Sequence, residues 1–214
     1  MRVRPHHGPG LDVHSRQRQP TAILQQKPRG HRRSGAGAHR ARVALPRRPR
    51  PPAGQTVSVV IPVGADSWRE LVAAAQLLHD FNAEYHEPTP APHQLASRLA
   101  ELIRDQHITV LLAQEPDTST GVGVAVMRIQ PSVWSPAQEA YLAELYVRPG
   151  QRGRGYGREL ITEAIRVARD QGADYALVVT SEDDRLAQRL YEAAGFRRTE
   201  GEGGSLMLAY ERDL

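Results

Sequence analysis

LYVRPGQRGRGYGR, residues 145–158, decides the reading of this chain. An aromatic and β-branched run ends at Val147, glycines fall at 153, 155 and 157, and GRELITEAIRVARDQ continues with apolar residues at helical spacing. A strand therefore enters a glycine-rich turn and leaves it as a helix. Glycine lets the backbone curl so that successive N–H groups face one anion, and a helix N-terminus adds its partial positive charge. Pyrophosphate is the natural occupant of such a turn. The pattern is not a Walker A loop, because no Gly-Lys-Ser/Thr follows. Nor is it G-x-G-x-x-G, since the third glycine comes one residue early and no acid closes a second strand where a ribose would need it.

Working outward, TVSVVIPV (56–63) alternates as a strand, and DSWRELVAAAQLLHDFNAEYHE carries Leu71, Ala74, Ala75, Leu78 and Phe81 at helical spacing, with Asp66 or Ser67 available as N-cap. A second helix follows PTPAP through Leu95, Leu99, Leu102 and Ile103. HITVLLAQ and GVGVAVMRIQ read as a hairpin, and EAYLAELYV as the strand before the glycine turn. After the helix come the strand DYALVVT, the helix DDRLAQRLYEAA stopped by Gly195, and FRRTEGEGGSLMLAY as a closing pair of strands around a glycine turn. The order β α α β β β α β α β β predicts one mixed α/β (α+β) domain whose sheet is partly antiparallel.

Charge divides the chain in two. Residues 1–55 hold 13 basic residues against the single acid Asp12, whereas residues 56–214 hold 15 bases and 23 acids. The formal +4 of the whole thus describes a basic extension on an acidic domain, and nucleic-acid binding is not the default reading. Residues 1–55 also contain 8 of the 16 prolines and no Phe, Trp or Tyr, a composition expected to be disordered. Weak binding of nucleic acid through this Arg-rich stretch is the one contact of that kind it allows. Cys is absent, which excludes disulfides, a thiolate nucleophile, zinc fingers and iron–sulfur sites. His79, His86, His93 and His107 show no ligand spacing on one face, so no metal is expected. No run of about 18 apolar residues occurs, and the basic N-terminal stretch lacks a signal-peptide core, so the expected location is the cytoplasm and no membrane partner is expected.

Arg152-x-x-Gly155-x-Gly157 matches the R/Q-x-x-G-x-G/A signature, Glu144-Leu-Tyr-Val-Arg-Pro precedes it, and Leu190-Tyr191-Glu192-Ala-Ala-Gly195-Phe196 follows at the right distance. On these three elements the chain resembles the GNAT superfamily of acetyl-CoA-dependent N-acetyltransferases over about residues 57–211, with the specific motifs in 142–196. The resemblance implies the GNAT-type acyl-CoA N-acyltransferase fold: a mixed, mostly antiparallel central sheet with a splayed parallel strand pair, flanked by helices.

It also implies roles. Leu145, Tyr146 and Val147 would bond the pantetheine arm of acetyl-CoA, with the Val147 amide near the thioester carbonyl. The backbone of Arg152, Gly153, Arg154, Gly155, Tyr156, Gly157 and Arg158 would take the pyrophosphate. The arginine side chains would add positive charge there, or else Arg154 and Arg158 would simply be solvated. Tyr191 would face the sulfur and protonate the departing thiolate, with a packed core tyrosine as the alternative. Where the family often has an Asn that caps the helix and contacts CoA, this chain has Asp184, a candidate cofactor contact that caps a helix equally well but faces an anionic cofactor less comfortably.

Amide formation needs a neutral amine, and a primary alkylamine with a pKa of about 10 is mostly protonated at pH 7, so a base is useful. By alternation Leu142, Glu144 and Tyr146 share one face of their strand, opposite Tyr141, Ala143, Leu145 and Val147. Glu144 is the candidate base, or else an acid paired with an arginine or attracting a cationic amine. In the family this chain resembles, acceptor selection falls mostly to the two helices after the first strand, their loop and the hairpin loops, which implies Tyr85 and Glu87 in the loop between the first two helices, and Trp134 in PSVWSPAQ, as candidate acceptor contacts. The acidic domain, with Glu84, Glu87 and Glu139, suits a small cationic amine or a peptide amine. The expected reaction is direct attack in a ternary complex. A non-catalytic acyl-CoA-binding module, or a protein lysine or N-terminal acetyltransferase, is the alternative, and a homodimer is left open.

Overall fold

The computed structural model describes residues 59–201, 203–210 and 212. Residues 1–55, expected to be a disordered extension, lie outside the described residues, as do 56–58 at the start of the expected domain.

The chain folds as β1 (Val59–Pro62), α1 (Trp68–Glu84), α2 (Pro92–Arg104), β2 (Thr109–Gln114), β3 (Gly121–Pro131), β4 (Gln138–Val147), a 3₁₀ turn (Pro149–Gln151), α3 (Tyr156–Asp170), β5 (Ala173–Val178) and α4 (Arg185–Ala193). The strands form one five-stranded sheet in the order β1-β2-β3-β4-β5. β1 to β4 pair antiparallel, and β4 and β5 pair parallel through the α3 crossover. No helix is long and apolar enough to cross a membrane, among the described residues.

Period-two alternation in the central strands builds a core on each face of the sheet. In β2, Val110 and Leu112 join Leu71, Leu77, Leu99, Val124, Val126 and Tyr146 beneath α1 and α2. Their neighbours Leu111 and Ala113 join Val122, Ala125, Met127, Leu142, Leu160 and Ile161 beneath α3. Each large side chain so buried contributes about 1.5–3 kcal/mol of transfer free energy, which is what fixes α1 and α3 on opposite faces.

The caps follow local chemistry. Pro92 opens α2, and the Ala91 N–H donates to Gln94 Oε1 at 3.3 Å. Asp184 caps α4 by accepting from the Ala187 N–H at 2.9 Å. Ser67 stands at the N-cap position of α1 but its side chain makes no capping bond.

Two expectations are corrected. The first concerns the alternation of β4. Val126 lies opposite Glu144 but Met127 lies opposite Leu142, so Ala143 is an extra residue and the strand bulges. The bulge flips everything before it: Leu142 packs on the α3 side, while Tyr146, and with it Glu144 across from Val126, belongs to the α1–α2 side. Leu142 therefore does not share a face with Glu144 and Tyr146. The second concerns residues 196–210. Instead of a closing pair of strands, this segment makes one isolated bridge between Thr199 and Leu206. Leu206, Leu208 and Tyr210 are 62%, 59% and 76% exposed, so the alternating apolar residues that suggested a strand have no core to face among the described residues.

Candidate active site

β4 and β5 part company. Their ladder runs from Gln138–Ala173 to Leu142–Val178 and stops, while β4 continues to Val147 paired with β3 alone. The bulge at Ala143 marks the point of separation. Beyond it, the edge of β4 turned away from β3 has no strand beside it among the described residues. The orientation of that edge follows from one bond: Arg148 N–H donates to Val122 O at 2.9 Å, so Arg148 faces β3. By alternation Tyr146 also faces β3, and the N–H and C=O of Leu145 and Val147 face the gap. The Val147 carbonyl confirms it by accepting from Arg152 Nε at 2.8 Å.

At the end of this edge stands the glycine turn. Gly153 and Gly155 have φ of +80° and +96°, which other residues adopt only with strain. Gly155 is the N-cap of α3 in the left-handed region, with no side chain capping the helix. The first-turn amides of this 15-residue helix, those of Tyr156, Gly157 and Arg158, thus converge on the turn as free-standing donors. A Cβ on Gly153 or Gly155 would meet nothing within 4 Å, so the approach is open. A diphosphate fits such a cradle, and acetyl-CoA carries one beside an extended amide arm suited to the β4 edge. The Tyr156 ring itself is buried in the α3-side core at 4% exposure, which leaves its main chain as the useful part.

α4 closes the other wall. A Cβ on Gly157 would lie 3.1 Å from Leu190 Cδ2, so glycine there lets α4 press on the start of α3. Next along α4, Tyr191 packs edge-on against Phe196, with 6.0 Å between ring centroids. Burial, and then the charges of Asp184 and Glu144 and the nearby Tyr141, push the Tyr191 phenol up to about 12. The Glu144 charge is thus one of the smaller causes of the Tyr191 shift, after burial and Asp184. The two residues belong to opposite faces of the sheet, Glu144 across from Val126 on the α1–α2 side and Tyr191 packed on the α3 side.

Three acids from outside the turn hold its arginines, and Glu84, expected to suit a cationic amine, is one of them. Arg148 pairs with Asp80 at 3.4 Å, Arg152 with Glu84 at 2.8 Å, and Arg154 with Glu115 at 3.9 Å. Gln151 also donates to Glu115 at 2.8 Å. Glu84 uses its second oxygen to accept from the Tyr146 hydroxyl at 2.7 Å, and the Arg152 guanidinium lies 5.6 Å over the Tyr146 ring. Burial pushes the Glu84 carboxyl up, but bonds from Arg152 and Tyr146 outweigh it and leave the carboxyl below its ordinary value. Burial and the Glu84 charge drive the Tyr146 phenol above its own ordinary value. A signal for this was present. Asp80 and Glu84 lie four apart, as do Arg148 and Arg152, and an acid closing α1 opposes the helix dipole unless a cation answers it.

The proposed acceptor contacts do not all come together. Tyr85 follows Glu84 at the end of α1, 52% exposed, and stacks edge-on on Phe81, which in turn meets Tyr146 at 5.3 Å between centroids. Glu87 follows in the same loop, its N–H bonded to Asn82 O. Trp134, 59% exposed, lies in the β3–β4 turn at the opposite end of β4 from the glycine cradle. Arg158 lies exposed in the first turn of α3. Among the described residues no group of three or more His, Cys, Asp or Glu is arranged to hold a metal.

A five-stranded mixed sheet with one parallel pair, flanked by helices, is the fold of known acetyltransferase structures. The chain belongs to the acetyltransferase (GNAT) family, whose model matches residues 74–196. It is 32% identical over 90 residues to thialysine N-epsilon-acetyltransferase of Bos taurus, covering 42% of this chain and 52% of that protein. It is 32% identical over 160 residues to mycothiol acetyltransferase of Streptomyces avermitilis, covering 69% of this chain and 44% of that one. The chain thus spans about half the length of the curated relatives it matches. Among solved structures, a protein of Arthrobacter sp. FB24 described as an acetyltransferase superposes with a TM-score of 0.64 at 40% identity, covering 73% of this chain and 96% of that one. An aminoglycoside acetyltransferase from an uncultured soil metagenomic sample, in complex with sisomicin, shares the fold with a TM-score of 0.60 at 15% identity over 73% and 96% of the two chains.

Proposed function

We propose that this protein is an N-acetyltransferase that moves the acetyl group of acetyl-CoA to a primary amine of a small cationic molecule, by direct attack in a ternary complex. The observation that carries the reading is the continuity of the open Leu145–Val147 edge with the Gly153–Gly157 cradle. Acetyl-CoA supplies an activated thioester. The first-turn amides of α3 hold its diphosphate, and the outward N–H groups of Leu145 and Val147 hold the extended arm and face the thioester oxygen, where negative charge develops.

Glu144 takes the proton that the acceptor's ammonium must lose before its nitrogen can attack the thioester carbon. Tyr191 faces the departing sulfur. With its phenol at about 12 it stays protonated at neutral pH, and a thiol ionises at about 8.5, so Tyr191 stabilises the thiolate by donating a hydrogen bond rather than by surrendering its proton. Asp184 serves as the helix cap that seats Tyr191.

The acceptor class rests on the acidic balance of residues 56–214 and on the small amines named in the relatives' activities. Tyr85 and Glu87 are proposed to meet the acceptor, and Trp134 to influence it only from the far end of β4. The test is a screen of diverse amines with acetyl-CoA and the full chain, following release of free thiol. The protein has no cysteine, so every thiol detected comes from the coenzyme. Acetylation of one amine class supports the reading; coenzyme binding without turnover on any amine would indicate the binding module instead.

A further inference from the structure

Building on that function, we infer that Glu84 is a positioning residue for the coenzyme: it restrains Arg152 on the α1 side of the cleft, and an arriving diphosphate draws Arg152 away from it. Residues 148–158 contain four arginines and no acid, yet three of those arginines are met by carboxylates from outside the turn. The contacts are unequal. Arg148–Asp80 and Arg154–Glu115 span 3.4 and 3.9 Å, whereas Arg152 reaches Glu84 at 2.8 Å and the Val147 carbonyl at 2.8 Å together.

Both partners of Arg152 are contested once an acyl-coenzyme arrives. The Val147 carbonyl lies on the open strand edge, where an extended amide chain needs acceptors. The Arg152 main chain opens the glycine cradle, so its side chain reaches a diphosphate seated there by turning about its own χ angles. A planar guanidinium forms two parallel bonds to phosphate as readily as to carboxylate. Glu84 remains bonded to the Tyr146 hydroxyl when Arg152 leaves, so the exchange strands no buried charge. Binding the coenzyme therefore includes the work of breaking the Glu84–Arg152 pair, and Glu84 lowers coenzyme affinity in proportion.

The experiment titrates coenzyme A calorimetrically into the full chain and into Glu84→Gln, Arg152→Gln and the double variant at one salt concentration, with melting temperatures recorded alongside. Glu84→Gln is expected to bind about fivefold tighter, the ratio a partly exposed ion pair is worth. Arg152→Gln is expected to bind more weakly than the native protein, and the double variant to match Arg152→Gln, because Glu84 acts only through Arg152. A purely structural Glu84 would lower the melting temperature and leave affinity equal or weaker, which overturns the inference. Should Glu84→Gln fail to fold, Glu84→Asp, with a shortened reach to Arg152, must shift affinity in the same direction. No binding of coenzyme A to the native protein would instead sink the proposed function itself.

Discussion

The Tyr146 hydroxyl donates at 2.7 Å to Glu84 Oε1, tying the last turn of α1 to the end of β4 across 62 positions of sequence. Hydrogen bonds to charged groups contribute about 1.5–3 kcal/mol. Tyr146→Phe keeps the ring packed on Phe81 and removes only this bond, so a loss of about 1.5 kcal/mol in urea unfolding, with an unchanged m-value, is expected. An unchanged midpoint would show that solvent replaces the bond without cost.

The same carboxylate sets a pH dependence. Glu84 sits below its ordinary value of 4.5 in the folded protein. Its contribution is therefore complete above that value and is lost as pH falls through the lower, folded-state value. The difference in melting temperature between the native protein and Glu84→Gln should be constant from pH 7 to about 5 and shrink below about 4.5. A difference that grows in acid would contradict the assigned direction.

Tyr191→Phe should lower kcat by roughly 100-fold, the scale of a lost donor to a reacting group, and change the KM for acetyl-CoA much less. Equal effects on both would leave a packing role only. Because the phenol titrates at about 12 rather than 10, the native rate should show no alkaline decline from Tyr191 below about pH 11.

Glu144→Gln should depress turnover most at neutral pH and recover toward the native rate near pH 10, where an alkylamine with a pKa of about 10 deprotonates unaided. A deficit independent of pH would assign Glu144 to attraction of the acceptor rather than proton removal.

Gly155→Ala places a Cβ at φ +96°, where the left-handed region costs about 1–2 kcal/mol. A loss of stability of that size, accompanied by weaker binding of coenzyme A, is expected, because the strain falls on the residue that aims the first-turn amides of α3. Gly150→Ala, with nothing within 4 Å of the new methyl and no positive φ, is the neutral control.

What could be read in advance was local. The glycine turn, the Asp184 cap and the order of elements through α4 depend on residues close in sequence, where capping and periodicity leave a direct trace. The bulge at Ala143 leaves none, because an apolar strand residue reads the same whether or not it has a partner opposite. The acids Asp80, Glu84 and Glu115 are visible only as charges, since the side chains they meet lie 36 or more positions away. The segment ending at Leu206, Leu208 and Tyr210 had the alternation of a strand, but alternation states a preference and the neighbouring chain decides whether it is met. Trp134 joins Tyr85 and Glu87 only through the resemblance, which assigns acceptor contacts to loops as a class and does not say which end of a strand a given turn occupies.

The extra residue at Ala143 makes the two halves of β4 independent in phase. Residues 138–142 answer to the packing demands of α3, and residues 144–147 keep their own register against β3 whatever happens upstream. Apolar substitutions can accumulate in the first half without rotating the acid in the second. Removing one residue would fuse the halves into a single rhythm, and whichever half yielded would present its side chains to the wrong layer.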